Sequence, residues 1–219
     1  MNEPLLAMQA LLAGINDVPV QHRVTDFLID DARVCNHLLG RTLADDEDEQ
    51  VLICETDAGP ALSVYIDQRV MASLAADDPL NCLSDNNLPA FCSAVEGISH
   101  FQYFIWCAEH DRQVSLLELE LQAEVDKYAL ATCLLMHQAQ GRFHHGLHRR
   151  LFSQVDFVAT LDAQSRDRYS EANRCAANFC RRNDERYLNC RQPRVERWLH
   201  ELRQLYRCSH HQKMRRALS

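Results

Sequence analysis

Residues 115–138 read SLLELELQAEVDKYALATCLLMHQ, and this stretch decides the fold class. Ser115 followed three positions later by Glu118 is a capping box. The serine oxygen takes one free backbone N–H of the first helical turn and the glutamate reaches back to another. No glycine or proline interrupts the chain between Gly97 and Gly141, so nothing breaks a helix that starts at this cap and runs to about Gln138. Immediately upstream, residues 90–108 place Phe91, Val95, Ile98, Phe101, Tyr103 and Ile105 at largely helical spacings. Pro89 suits a first helical turn, where its missing N–H has no partner to lose. Glu109, His110, Asp111 and Arg112 separate the two patterns as a turn. The expectation is two long helices joined by a short connection.

Toward the N-terminus the apolar period falls to two. Residues 51–56 and 61–67 flank Asp57, Ala58, Gly59 and Pro60, and Leu62, Val64 and Ile66 alternate with Ser63, Tyr65 and Asp67. This predicts a hairpin with an apolar row on one face. A lone hairpin is marginal in water, so a third strand is expected at residues 23–30. The acidic run at residues 45–49 reads as a solvated loop. Toward the C-terminus, residues 143–162 supply one or two short helices. Tyr169, Ala172, Ala176 and Phe179 then recur at helical steps, and after Pro193 the residues Val195, Trp198, Leu199, Leu202, Leu205 and Tyr206 form an apolar stripe. The architecture expected is α+β, a predominantly helical body with a small N-terminal antiparallel β-sheet. It divides into residues 1–88 with helix and hairpin, an acidic, histidine-rich helical body at 89–165, and basic helices at 166–219 docked on the same core.

The 219 residues, 47% hydrophobic and 25% charged, suffice for one good core and exclude a disordered chain. The net charge of −8 conceals two opposite segments: from Arg166 onward fourteen Lys/Arg face six Asp/Glu, whereas the preceding residues hold nine against twenty-five. A basic segment of this kind either docks on its own acidic body or holds an acidic partner, protein or nucleic acid. Arg149, Arg150, Arg194 and Arg197 are the candidate anion- or partner-binding residues. Aromatic–basic interleaving and recognition-helix signatures are absent, so a nucleic-acid role rests on charge alone. No apolar run approaches the ~20 residues of a bilayer span. The opening residues lack the positive region of a secretory signal. Ten cysteines without a single CxxC read as small hydrophobes of a reducing compartment. No membrane partner and a cytoplasmic location are therefore expected.

Six of the eleven histidines lie between residues 100 and 148, and three ligand-type pairs there share a four-residue spacing: Glu96 with His100, Glu120 with Glu124, and His144 with His148. On a helix this spacing stacks both side chains on one face, a turn apart. Imidazole and carboxylate without thiolate suit iron, manganese or zinc, and such an ion would serve an enzyme of oxidative or hydrolytic type. A protease is disfavoured, because no glutamate follows His144 as H-E-x-x-H would require. Two other readings stand beside this one. Leu116, Leu117, Leu119, Leu121 and Val125 surround the acids, so buried carboxylates paired with Arg142, Arg149 or Arg150 would satisfy the same pattern. A non-enzymatic binding or regulatory module built on the arginine-rich C-terminal segment is the remaining alternative. No glycine-rich phosphate loop and no nucleophile elbow occurs.

Overall fold

The computed structural model describes residues 2–44, 47–56, 59–143, 146–153 and 163–218. Its centre is the expected helix pair, α4 (Leu88–Glu109) and α5 (Leu116–Gln138) in chain order. The capping box is formed: Ser115 Oγ accepts from the Glu118 N–H and the Glu118 carboxylate accepts from the Ser115 N–H at 3.1 Å. The connecting turn passes through Asp111 at φ 50°, and the two helices pack antiparallel, as so short a link requires. Phe91, Val95, Ile98 and Phe101 of α4 and Leu121, Val125, Tyr128 and Leu130 of α5 are buried between them and their neighbours. Helix α1 (Glu3–Asn16) covers α4 with Leu5, Met8 and Leu12. Helix α7 (Ala163–Asn183) lies along α5, and the small residues Ala172, Cys175 and Ala176 on its buried face let the two approach closely.

Three strands complete the body: β1 (Leu28–Ile29), β2 (Glu49–Thr56) and β3 (Gly59–Ile66), in the order β1-β3-β2. β2 and β3 form the antiparallel hairpin, but β1 runs parallel to β3, so the sheet is mixed rather than antiparallel throughout. The cause is α2 (Ala32–Leu39), which stands between β1 and the hairpin as a crossover and brings the chain back in the direction of β1. β1 is also shorter than residues 23–30 suggest, because Val24–Asp26 closes into a 3₁₀ turn.

β3 is buried on both faces. Val64 and Ile66 lie in the main core with α4, while Tyr65 packs with Cys35 and Leu52 in a cluster on the α2 side. The register Glu49↔Ile66 and Val51↔Val64 puts Glu49 in the row that faces α4. The acidic run is therefore not wholly a solvated loop: its last member opens a strand and turns inward, while Asp45 and Asp46 lie outside the described residues.

The remaining helices are α3 (Gln68–Ala76), α6 (Leu147–Ser153), α8 (Val195–Arg207) and α9 (His210–Leu218), with a π-helical turn at Asp184–Leu188. No described helix is long and apolar enough to cross a membrane. Beside the apolar packing of α7 and α8 on the body, arginine-to-carbonyl bonds fasten helix ends in and around the basic segment. Arg203 donates to the carbonyls of Ile15 and Gly14 at 2.9 and 3.1 Å, and Arg207 to those of Asn16 and Asp17 at 3.0 and 2.7 Å. These are the carbonyls left unpaired at the C-terminal end of α1, where the helix dipole also favours a cation. Arg112 does the same for α8 through the carbonyls of Arg207 and Cys208, and Arg182 for α9 through those of Arg216 and Ala217.

α9 is held further by Lys213, whose side chain is fully buried. Its Nζ donates to Gln122 Oε1 at 2.8 Å and lies 3.9 Å from the centre of the Tyr103 ring, with Tyr206 behind. Glu118 and Asp126 of α5, Cys107 of α4 and Arg112 of the connecting turn are the charged and titratable groups around it. Burial outweighs the two acids and pushes the Lys213 amine down to about 7 from 10.5. Between those values the unfolded chain holds a proton that the folded one has lost, so the penalty for burying this amine is largest below about pH 7 and fades as pH rises toward 10.5. Lys213→Met is expected to stabilise the fold near neutral pH by roughly 1–3 kcal/mol. Denaturant melts of both proteins at several pH values should show that advantage shrinking toward pH 10, and an advantage independent of pH would refute the assignment.

Candidate metal centre

The antiparallel pairing of α4 and α5 brings two of the three spaced pairs face to face. Glu96 and His100 descend α4 while Glu120 and Glu124 ascend α5, so Glu96 meets the Glu124 end and His100 meets Glu120. One ligand atom from each of Glu96, His100 and Glu120 falls within 4.8 Å of the others. His100 and Glu120 are buried and Glu96 is half-buried at the rim.

Each member has a definite partner. Lys127, one turn beyond Glu124 on α5, bridges the helices by donating to Glu96 Oε2 at 2.7 Å and Glu124 Oε1 at 2.8 Å. His100 Nδ1 lies 3.3 Å from Glu49 Oε1. Its buried Nε2 forms a long ion pair with Glu120, 3.4 Å from Oε2, without the geometry of a good hydrogen bond. From α7, Arg168 Nε stands 3.9 Å from Glu120 Oε1, likewise buried and without a hydrogen bond. Tyr169 lies beside it: burial first, then the charges of Glu120, Glu96 and Glu49, raise its phenol above the usual range.

The strand reaches this cluster because α4 carries no side chain where it crosses. A Cβ on Gly97 would stand 3.0 Å from Val64 Cγ1 and 3.2 Å from Glu49 Cγ. Glycine therefore sets the distance between helix and sheet, and with it the distance from Glu49 to the imidazole one turn away.

The electrostatics follow from crowding acids in a poorly solvated place. Burial drives the Glu49 carboxyl up to about 7, with Glu96 and Glu120 adding to the rise and His100 opposing it. Burial also raises Glu124. Burial alone would lower His100, but Glu49 and Glu120 more than reverse this and raise it well above 6.5. Lys127 behaves alike: Glu124 and Glu96 outweigh its burial and hold it well above 10.5. In return Lys127, with His100, keeps Glu96 below 4.5 against its own burial. Counted as charges, the four carboxylates of Glu49, Glu96, Glu120 and Glu124 face two permanent cations, Lys127 and Arg168. The site is thus anionic whenever the imidazole is neutral.

The other candidate residues lie elsewhere. His148, on α6, does not join the cluster: its Nε2 is 2.8 Å from the Ala177 carbonyl oxygen and its ring packs on Tyr128 and Phe152. The physical reason is that the break after Gly141 starts a new helix whose face turns to α7 and the far end of α5. His144 lies outside the described residues. Arg150 pairs with Asp85, and Arg149, Arg194 and Arg197 are exposed, with Arg194 donating to the Arg186 carbonyl. Among the described residues the cluster carboxylates pair with Lys127 and Arg168 rather than with Arg142, Arg149 or Arg150.

Four participants were not singled out from the sequence: Glu49, Lys127, Arg168 and Tyr169. Lys127 carried a legible signal, since it follows Glu124 by three positions on the helix face already marked by acids. Extending the strand period back from Val51 would have reached Glu49. Arg168 and Tyr169 come from another helix and carried none.

No protein-family model, no curated protein and no solved structure matches this chain, and the site is read from its own geometry.

Two outcomes test this geometry. Gly97→Ala gains up to about 1 kcal/mol of helix propensity but overpacks the helix–sheet contact at a cost of about 1–3 kcal/mol, so a net loss of stability is expected in urea melts. Lys127→Met leaves Glu96 and Glu124 facing each other unpaired and should cost about 3 kcal/mol. Adding Glu96→Gln and Glu124→Gln to Lys127→Met should recover much of that loss, and failure to recover would show that the ammonium is not what pairs these acids.

Proposed function

We propose that the protein binds a divalent transition-metal ion, iron, manganese or zinc, through Glu96, His100 and Glu120, as a metal-dependent enzyme of oxidative or hydrolytic type. The observation that carries this reading is the convergence of one ligand atom from each of Glu96, His100 and Glu120 within 4.8 Å of one another, with the buried Nε2 of His100 in only a long contact, 3.4 Å, to Glu120. A nitrogen in that position lacks a partner unless a cation or proton lies before it, and leaving it unmet is costly.

Four further features support the reading. Glu49 on Nδ1 is the outer carboxylate that metal-binding histidines characteristically engage: with an ion in place of the Nε2 proton, it would accept the Nδ1–H, leave the lone pair on Nε2 and hold the ring in place. The excess of carboxylate over fixed cation matches a divalent ion. Three protein ligands leave coordination positions open, which distinguishes catalytic sites from closed structural ones. A mixed imidazole and carboxylate donor set suits iron, manganese and zinc. The ion's contribution would be to activate water or oxygen. The chain's own residues would hold the ion (Glu96, His100, Glu120), orient the imidazole (Glu49), keep Glu96 ionised (Lys127) and present a guanidinium and a phenol at the rim (Arg168, Tyr169).

The test is metal content of untagged protein after incubation with each ion and removal of the excess, read by elemental analysis and calorimetry. About one ion per chain is expected. Glu120→Gln and His100→Gln should abolish uptake with the circular dichroism spectrum retained, and Glu49→Gln should weaken it by about 10–100-fold. Uptake below ~0.2 per chain, or uptake indifferent to these changes, would leave the cluster as a self-paired network and remove the enzymatic reading with it.

A further inference from the structure

On the opposite side of α9 from Lys213, the helices α8 and α9 diverge around a cleft of about 470 Å³ lined by Gln204, Arg207, Cys208, Gln212, Arg215 and Arg216. We propose that this cleft is a second, separate ligand site, and that it takes a small phosphorylated molecule. Three guanidinium groups and two carboxamides line it and no carboxylate does. The volume lies within the roughly 300–1,000 Å³ of small-molecule sites.

The three arginines differ in what they have left to offer. Arg207 is fixed by the carbonyls of Asn16, Asp17 and Arg203 and paired with the Asp17 carboxylate at 3.3 Å, so it lines the cleft as a fixed wall whose charge is partly met, and the free donors are those of the other two. Arg216 has one long contact, 3.4 Å to Glu201, leaving most of its donors unused. Arg215 is exposed and has no hydrogen bond or ion pair among the described residues. A planar guanidinium offers two parallel N–H donors, the arrangement that phosphate oxygens accept. Gln204 and Gln212 add neutral donors and acceptors suited to hydroxyl or base edges rather than to charge.

Both walls are anchored in the body, as a preorganised site requires. Lys213 and Ala217, on the other face of α9, are buried in the body, and Leu205 and Tyr206 anchor the end of α8. The charges converge on one concavity between two short helices instead of extending along a surface, and this favours a compact ligand over a nucleic-acid backbone.

The experiment is calorimetric titration of the full chain with inorganic pyrophosphate, ATP and adenosine, at low salt and with no divalent cation present. Pyrophosphate and ATP should bind with one site per chain and adenosine should not bind. ATP tighter than pyrophosphate would identify a nucleotide, and equal affinity would identify the phosphates alone as the recognised group. The double variant Arg215→Gln with Arg216→Gln should weaken binding by about tenfold or more. The double variant Arg33→Gln with Arg174→Gln, which removes the same charge from exposed positions on α2 and α7, should leave it unchanged. Three results overturn the proposal: no binding of either phosphate compound, equal weakening by both double variants, or a DNA duplex binding more tightly than ATP with both double variants impaired. Because the metal ligands are untouched in these variants, the outcome is independent of whether Glu96, His100 and Glu120 hold an ion.

Discussion

Where α4 crosses the sheet at Gly97, a carboxylate from a strand, an imidazole and carboxylates from two helices, and a guanidinium from a third helix are withdrawn from bulk water together. An ion taken out of water must be matched within a few ångströms or it unfolds its surroundings. This constraint ties β2, α4, α5 and α7 to one another in a way that apolar packing, which is tolerant of small slips, does not. Lys127 and His100 each sit between two acids, and those bridges fix the axial register of the two long helices. The same crowding gathers four carboxylates around a histidine nitrogen held only by a long ion pair, and the proposed cation site rests on that arrangement.

The other side of the α4–α5 interface solves a similar problem without surplus. Asp126 is buried, and burial raises its carboxyl, but it accepts from Ser99, Asn16 and Gln122 at 2.6, 3.1 and 2.8 Å. Gln122 then receives Lys213. This chain of bonds runs from α1 through α4 and α5 to α9, so the first and last helices are coupled through polar groups in the interior. Nearby, the buried Tyr103 hydroxyl has only the Cys107 thiol beside it, and the buried Tyr206 hydroxyl makes no hydrogen bond among the described residues.

The charge asymmetry along the chain has a structural expression different from simple acid–base neutralisation. Three arginines of the basic segment, Arg182, Arg203 and Arg207, donate to helix-terminal carbonyls of α1 and α9, while Arg112 from the acidic half caps α8 and Arg174, Arg181 and Arg216 pair with glutamates of their own segment. Carbonyls at a helix end have no intrahelical partner, so each such bond satisfies an acceptor and complements the dipole at once. Only Arg168 carries the basic segment's charge to the acidic cluster itself. Arginines not used in this way, Arg215 among them, line surfaces.

The sequence by itself determined the local and periodic features. The capping box at Ser115, the uninterrupted run to Gln138, the helix after Pro89 and the alternation around Val64 each depend on neighbours a few residues apart, so their spacing states them directly. The pairs Glu96–His100 and Glu120–Glu124 were legible for the same reason, since four residues make one helical turn. Tertiary structure alone decided which turns face each other. It chose Glu96, His100 and Glu120 and sent His148 to the Ala177 carbonyl, it drew Glu49 in through strand register, and it supplied Arg168 from a helix more than forty residues further along the chain. It also laid β1 parallel to β3, a direction set by the path of α2 rather than by any residue in the strand. Spacing along one helix fixes only angles about its own axis; the meeting of groups from different elements depends on crossing points, and here that point is the missing side chain of Gly97.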